Sequence, residues 1–122
     1  MNLLDTDIIV DLLRKRRHEV GAISIITLIE VLRGLEATKR PKVKELLEES
    51  FSLLNLDNKL VETYCNLYQK LKNEGILIPD ADLLIAATAI SNNISLKTKD
   101  EHFERLKKLG LKLAQTSQKY KT

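Results

Sequence analysis

Two rhythms of apolar and polar positions alternate along the chain. Short apolar runs, rich in aliphatic and β-branched residues and closed by turn-forming ones, occur at Asn2–Leu4, Ala22–Ile26, Phe51–Leu56 and Ile94–Thr98, and each predicts a buried strand. Between them apolar residues recur at helical spacing: Ile8, Ile9, Leu12 and Leu13, then Leu28, Val31, Leu32 and Leu35, then Val43, Leu46 and Leu47. The longest stripe is Leu60, Val61, Tyr64, Leu67, Tyr68 and Leu71. Helix boundaries are marked as well. Thr6 or Asp7 is placed to cap the first helix, Thr27 and Glu30 have capping-box spacing for the second, and Pro41 opens the third. Asp57 caps the long helix that Gly75 ends, and Asp100 caps a basic helix that Gly110 stops. Leu111–Ala114 reads as a final edge strand.

One segment stands apart. Ile78–Ile90 reads IPDADLLIAATAI, with Pro79 and Asp80 at a helix start and Asp82 in its first turn. Beyond Asp82 only Thr88 is polar, which predicts a helix buried on nearly every side. Asp80 is expected as its N-cap. Strands that alternate with helices predict an α/β fold, a parallel sheet between helices on both faces.

Composition narrows the class. With 122 residues, 43% of them hydrophobic and 30% charged, the chain is expected to be a single globular domain over 1–122. No apolar run approaches the roughly 20 residues that cross a bilayer, and the N-terminus lacks signal-peptide layout, so no membrane association and a cytoplasmic location are expected. Cys65 is the only cysteine, which excludes an internal disulfide, and its helical setting predicts a buried, inert thiol. The net charge of +3 is unevenly spread. Arg14, Lys15, Arg16 and Arg17 are consecutive, and Glu104 is the last acid before Arg105, Lys107, Lys108, Lys112, Lys119 and Lys121, giving a basic tail from about residue 115. Such blocks suit solvated surface or nucleic-acid contact.

Four acids share a topological address: Asp5 after strand one, Glu30 in the first turn after strand two, Asp82 at the buried helix and Asp100 after strand four. In a parallel sheet these positions lie along the edge where ligands bind. Each acid alone has a capping explanation. Together they would repel one another unless a cation neutralised them, and a hard divalent ion, Mg²⁺ or Mn²⁺, suits oxygen ligands. An acidic site flanked by basic clusters fits phosphodiester hydrolysis. Two other classes compete: a flavodoxin-like phosphoacceptor domain built on Asp5, Asp7 and Asp57, and an inert RNA- or protein-binding module. The first leaves Glu30 and Asp82 unexplained; the second leaves all four acids without a use. His18 and His102, among basic residues, are expected at the surface, with a contact between His102 and Asp100 or RNA left open.

LLDTDIIVDLL, ISIITLIEVLRG, IPDADLLIAATAI and LKTKDEHF resemble, in order, the four signature segments of PIN-domain nucleases, and the short chain is most similar to VapC-type toxins. The likeness spans residues 2 to 103. It implies a PIN-like three-layer α/β/α sandwich with a parallel sheet of about five strands. It also implies an endoribonuclease dependent on Mg²⁺ or Mn²⁺, an RNA substrate, a VapB-type antitoxin and a homodimer. RNA processing without an antitoxin is the rival role within the family. Carried over by position, the catalytic and metal-binding acids are Asp5, Glu30, Asp82 and Asp100, supported by the hydroxyls of Thr6 and Thr98. Asp7 stands where the family often has a small polar residue and is read first as a helix cap. The Asp5–Glu30 segment is short for the family and carries the arginine cluster. Lys97 stands where an apolar residue is usual, near the site or at an exposed strand end. Candidate RNA contacts are Arg14, Lys15, Arg16, Arg17, Lys97 and Lys99.

Overall fold

The computed structural model describes residues 1–115; the basic tail expected from about 115, with Lys119 and Lys121, lies otherwise outside the described residues. The elements are β1 (Asn2–Leu4), α1 (Thr6–Lys15), β2 (Ala22–Ser24), α2 (Ile25–Arg33), α3 (Arg40–Ser50), β3 (Ser52–Leu54), α4 (Asn58–Asn73), α5 (Asp80–Ser91) and β4 (Ser95–Lys97), followed by a 3-10 segment, Glu101–Leu109. The four strands form one all-parallel sheet in the order β3-β2-β1-β4. The chain thus builds outward from β1 to β3, then crosses back to add β4 on the other side of β1. That reversal makes the C-terminal edge between β1 and β4 the place where a ligand crevice opens.

Helices cover both faces of the sheet, most completely at β1 and β2, while the edge strand β3 stays partly exposed. Successive side chains of a strand point to opposite faces, so Leu3 and Ala22 join Leu60, Leu67, Leu71, Leu83 and Phe103 on one side. Leu4 and Ile23 join Ile8, Ile9, Leu28 and Leu47 on the other. Three layers result, as expected of the PIN-like sandwich, with α4, α5 and the 3-10 segment below and α1, α2 and α3 above. Burial on both faces accounts for strands that read as unbroken apolar runs rather than alternating ones. In α5, Leu83 and every residue from Ile85 to Ala89 are buried, so this helix is a rigid mount for whatever its first turn carries. Gly21 allows a close approach at the mouth of β2: a Cβ there would sit 2.9 Å from Leu4 Cγ, which is itself fully buried. Gly75 follows α4 with φ of 69°, the left-handed end its sequence position predicts.

The structure corrects several local expectations. The sheet has four strands rather than about five. Leu111–Ala114 contributes a single parallel bridge, Leu113 to Leu96. In a three-residue strand only the middle residue turns both backbone groups outward, so only Leu96 has them to offer, at 2.8 Å to Lys112 O and 2.8 Å from Ala114 N. Asp5, not Thr6 or Asp7, caps α1, through Oδ1 and Thr6 N at 2.8 Å. Ser24, not Thr27, caps α2 by accepting from Ile26 N at 2.9 Å. The helix therefore starts early, Thr27 is swallowed into its first turn, and Glu30 moves to the second turn with no backbone to cap. Asp80 makes no cap bond in α5 and instead accepts a hydrogen bond from Tyr64 Oη at 2.7 Å. Cys65 is exposed. The buried stripe of α4 runs through Leu60, Leu67 and Leu71 with Tyr64 half-buried, and Cys65 falls on the neighbouring outer stripe with Val61 and Tyr68.

Candidate active site

At the C-terminal edge of β1 and β4 lies an open cleft of about 470 Å³ whose walls include Asp5, Glu30, Asp82 and Asp100. Four elements deliver them. Asp5 is the residue after β1; its backbone N–H donates to Lys97 O of β4 at 2.9 Å, so the strand pairing itself sets its position. Its carboxylate is divided between Thr6 N on Oδ1, at 2.8 Å, and the Thr98 hydroxyl on Oδ2, at 2.7 Å. Glu30 reaches over from α2 and accepts from Thr6 Oγ1 at 2.6 Å, while Thr6 Oγ1 and Thr27 Oγ1 lie 3.1 Å apart. The two hydroxyls expected to support the acids are thus hydrogen-bonded to them. Thr98 Oγ1 also accepts from Asp100 N at 3.0 Å, which ties the fourth acid to the first.

Asp7 belongs to the cleft too, which its reading as a cap missed. Freed from capping by Asp5, it accepts from Lys99 N on Oδ2 at 3.0 Å and leaves Oδ1 buried without a hydrogen-bond partner. The DTD triplet held a signal: a helix has one N-cap, so two flanking aspartates leave one carboxylate available for another partner. His102 is the other omission. It is half-buried rather than superficial, with Nδ1 3.0 Å from Asp100 Oδ1 and Nε2 3.1 Å from Asp82 Oδ2. The contact with Asp100 that the sequence left open is made.

The electrostatics are those of crowded acids short of positive charge. Burial pushes the Asp5 carboxyl up from 3.8 to about 6, and the charges of Asp7 and Asp82 add to the effect against the opposing bonds from Thr98 and Thr6. Burial likewise raises Asp7 and Asp82, the latter partly offset by His102. A divalent cation fits this donor set: hard carboxylate oxygens, one of them a buried atom without a partner, on side chains whose ionised forms are starved of solvent. The ligand atoms of Asp82, Asp100 and His102 also lie within 4.8 Å of one another.

The basic residues divide. Arg14 and Lys99 line the acidic cleft, Lys99 with its ammonium 3.3 Å from Asp11. Arg16 and Arg17, with His18, border a separate and more apolar cavity of about 280 Å³ between α1 and α3, where His18 stacks on Phe51. Lys15 pairs with Asp11 at 3.1 Å. Lys97 turns away from the acids and is held by both oxygens of Glu19 at 2.8 and 2.9 Å.

Comparison with known proteins agrees with the fold. The family model described as PIN domain matches residues 3–109. Ribonuclease VapC1 of Methanocaldococcus jannaschii is 44% identical over 115 residues, covering 91% of this chain and 85% of that protein. Among solved structures, VapBC-1 from nontypeable Haemophilus influenzae superposes with a TM-score of 0.80 at 26% identity, over 93% of this chain and 96% of the other. A toxin-antitoxin complex from Klebsiella pneumoniae gives 0.67 at 25% identity, over 84% and 90%.

Proposed function

The chain belongs to the PIN-domain family, and on that premise we propose that it is the ribonuclease toxin of a toxin–antitoxin pair, an endonuclease that hydrolyses RNA phosphodiester bonds with Mg²⁺ or Mn²⁺. The observation that carries this reading is the convergence of Asp5, Glu30, Asp82 and Asp100, from four separate elements, on one cleft at the reversal point of the sheet. These four are the proposed metal-binding and catalytic acids. A divalent ion held there would supply Lewis-acid activation of a water and would offset negative charge building up on the phosphate.

The protein's own part is positioning. Thr6 and Thr98 orient Glu30 and Asp5, so the two carboxylates are set before any ligand arrives. Asp82 stands in the first turn of a helix packed on nearly every side, which removes slack from the third acid. Arg14 and Lys99 are the cations placed to hold RNA phosphates beside the acids. Arg16 and Arg17 line the other cavity, and Lys15 and Lys97 are engaged by Asp11 and Glu19, so their contacts with RNA require a longer substrate path. A VapB-type antitoxin is the proposed partner, supported by the toxin-antitoxin complex among the structural relatives. A homodimer is proposed as well: α5 is consumed by the core, whereas α4 leaves Val61 and Tyr68 exposed, and Tyr68 borders the same cavity as Leu77, which is 92% exposed.

Cleavage of a mixed RNA pool tests the reading. The purified protein should cut with Mn²⁺ or Mg²⁺ and stop on chelation, and Asp5→Asn should lower the rate by about 100-fold or more. Equal cutting by both proteins would refute the assignment.

A further inference from the structure

His102 is the one imidazole in contact with acids of the cleft among the described residues. Asp100 holds it twice, accepting on Oδ1 from the His102 backbone N–H at 3.1 Å and lying 3.0 Å from Nδ1. The ring also tilts against fully buried Phe103, with centroids 4.6 Å apart. A ring fixed in this way has little freedom to swing out. Its far nitrogen, Nε2, is a buried atom 3.1 Å from Asp82 Oδ2 that makes no hydrogen bond. The position is therefore well determined and the hydrogen bond that would explain it is missing.

We propose that His102 is a direct nitrogen ligand of the divalent ion in this cleft, and that it makes the site select Mn²⁺ and later transition dications over Mg²⁺. The inference rests on the nuclease reading of the cleft and adds a ligand and a selectivity to it. A carboxylate 3.0 Å from Nδ1 favours the neutral tautomer with its proton on Nδ1 and its lone pair on Nε2, the arrangement in which a carboxylate orients a metal-binding imidazole. The 3.1 Å between Nε2 and Asp82 Oδ2 is also the right spacing: two ligands at right angles on one ion, with bonds of about 2.1–2.2 Å, lie about 3 Å apart. A purely oxygen site suits Mg²⁺ and Mn²⁺ alike. An imidazole adds affinity for transition ions and little for Mg²⁺, which favours oxygen and retains its waters.

The competing arrangement is an imidazolium clamped between two carboxylates as a spacer. Pulsed electron paramagnetic resonance of the Mn²⁺-loaded protein separates the two, because a directly bound nitrogen gives a hyperfine coupling that a spacer does not. The expected result is nitrogen coupling in the unaltered protein and none in His102→Gln. Mn²⁺ binding by calorimetry should weaken at least ~10-fold in that variant, with Mg²⁺ binding within about twofold of unaltered. Bound Mn²⁺ without nitrogen coupling overturns the proposal, as does equal weakening toward both ions; the first of these needs no variant. If RNA is cut, and Asp5→Asn abolishes it, while nitrogen coupling is absent, only the ligand role of His102 fails. If the protein neither binds a divalent ion nor cuts RNA, the nuclease reading fails with it.

Discussion

Removing the Asp5 charge should make the metal-free protein more stable while it destroys the site. Asp5 is 5% exposed, and its carboxyl titrates at about 6 rather than 3.8 because burial disfavours the ionised form. The sign follows from linkage. A folded-state value above the unfolded one means that the folded chain holds its proton more tightly, so stability is greatest below about 3.8 and is lost as pH rises through about 6. At pH 7.5 the loss amounts to about 3 kcal/mol, and roughly 2 kcal/mol of it develops between pH 4.5 and 7.5. Asp5→Asn keeps the shape and the acceptor for Thr6 N. Its amide can face Thr98 Oγ1, whose proton is then free to turn toward Asp7 Oδ2, 3.5 Å away. Thermal unfolding followed by circular dichroism in chelator should place the variant roughly 10 °C above the unaltered protein at pH 7.5, with the gap mostly closed at pH 4.5. A variant no more stable at pH 7.5, or a gap that does not change with pH, would refute the claim that a buried, uncompensated charge sits at position 5.

Three further outcomes follow from the same geometry. Thr98→Val deletes the hydroxyl that lowers the Asp5 pKa, so the pH midpoint of Mn²⁺ binding, followed by calorimetry, should move upward. Gly21→Ala forces a Cβ to within 2.9 Å of buried Leu4, and chemical denaturation should show a loss of about 1–3 kcal/mol. Ser24→Ala removes the cap of α2, for about 1 kcal/mol in the same assay, whereas Thr27→Ala should show no capping loss of its own because Thr27 is not the cap.

The order of strands and helices was legible because burial on both sheet faces leaves unbroken apolar runs and because helix stripes repeat at a fixed spacing. The addresses of Asp5, Asp82 and Asp100 followed from that order, since each lies just beyond a strand or at a helix start, whereas Glu30, expected in a first turn, reaches the same cleft from the second turn of α2. What escaped depended on contacts between distant segments. Whether Ser24 or Thr27 caps α2 is settled by where the pairing of β2 with β1 and β3 ends, which no local pattern records. The fifth strand shrank to a bridge because β4 is three residues long. The wide apolar pattern of α4 concealed that one stripe is buried and the adjacent one, with Cys65, is not. His102 looked superficial because its neighbours along the chain are charged; Asp82, which turns it into a site residue, lies twenty positions earlier.

The most direct measurement is a crystal structure soaked in Mn²⁺, with anomalous diffraction used to place the ion. A peak is expected in the cleft among the carboxylates of Asp5, Glu30, Asp82 and Asp100, lost in crystals of Asp5→Asn. Occupancy at any other place on the surface, with that cleft empty at millimolar Mn²⁺, would contradict that expectation.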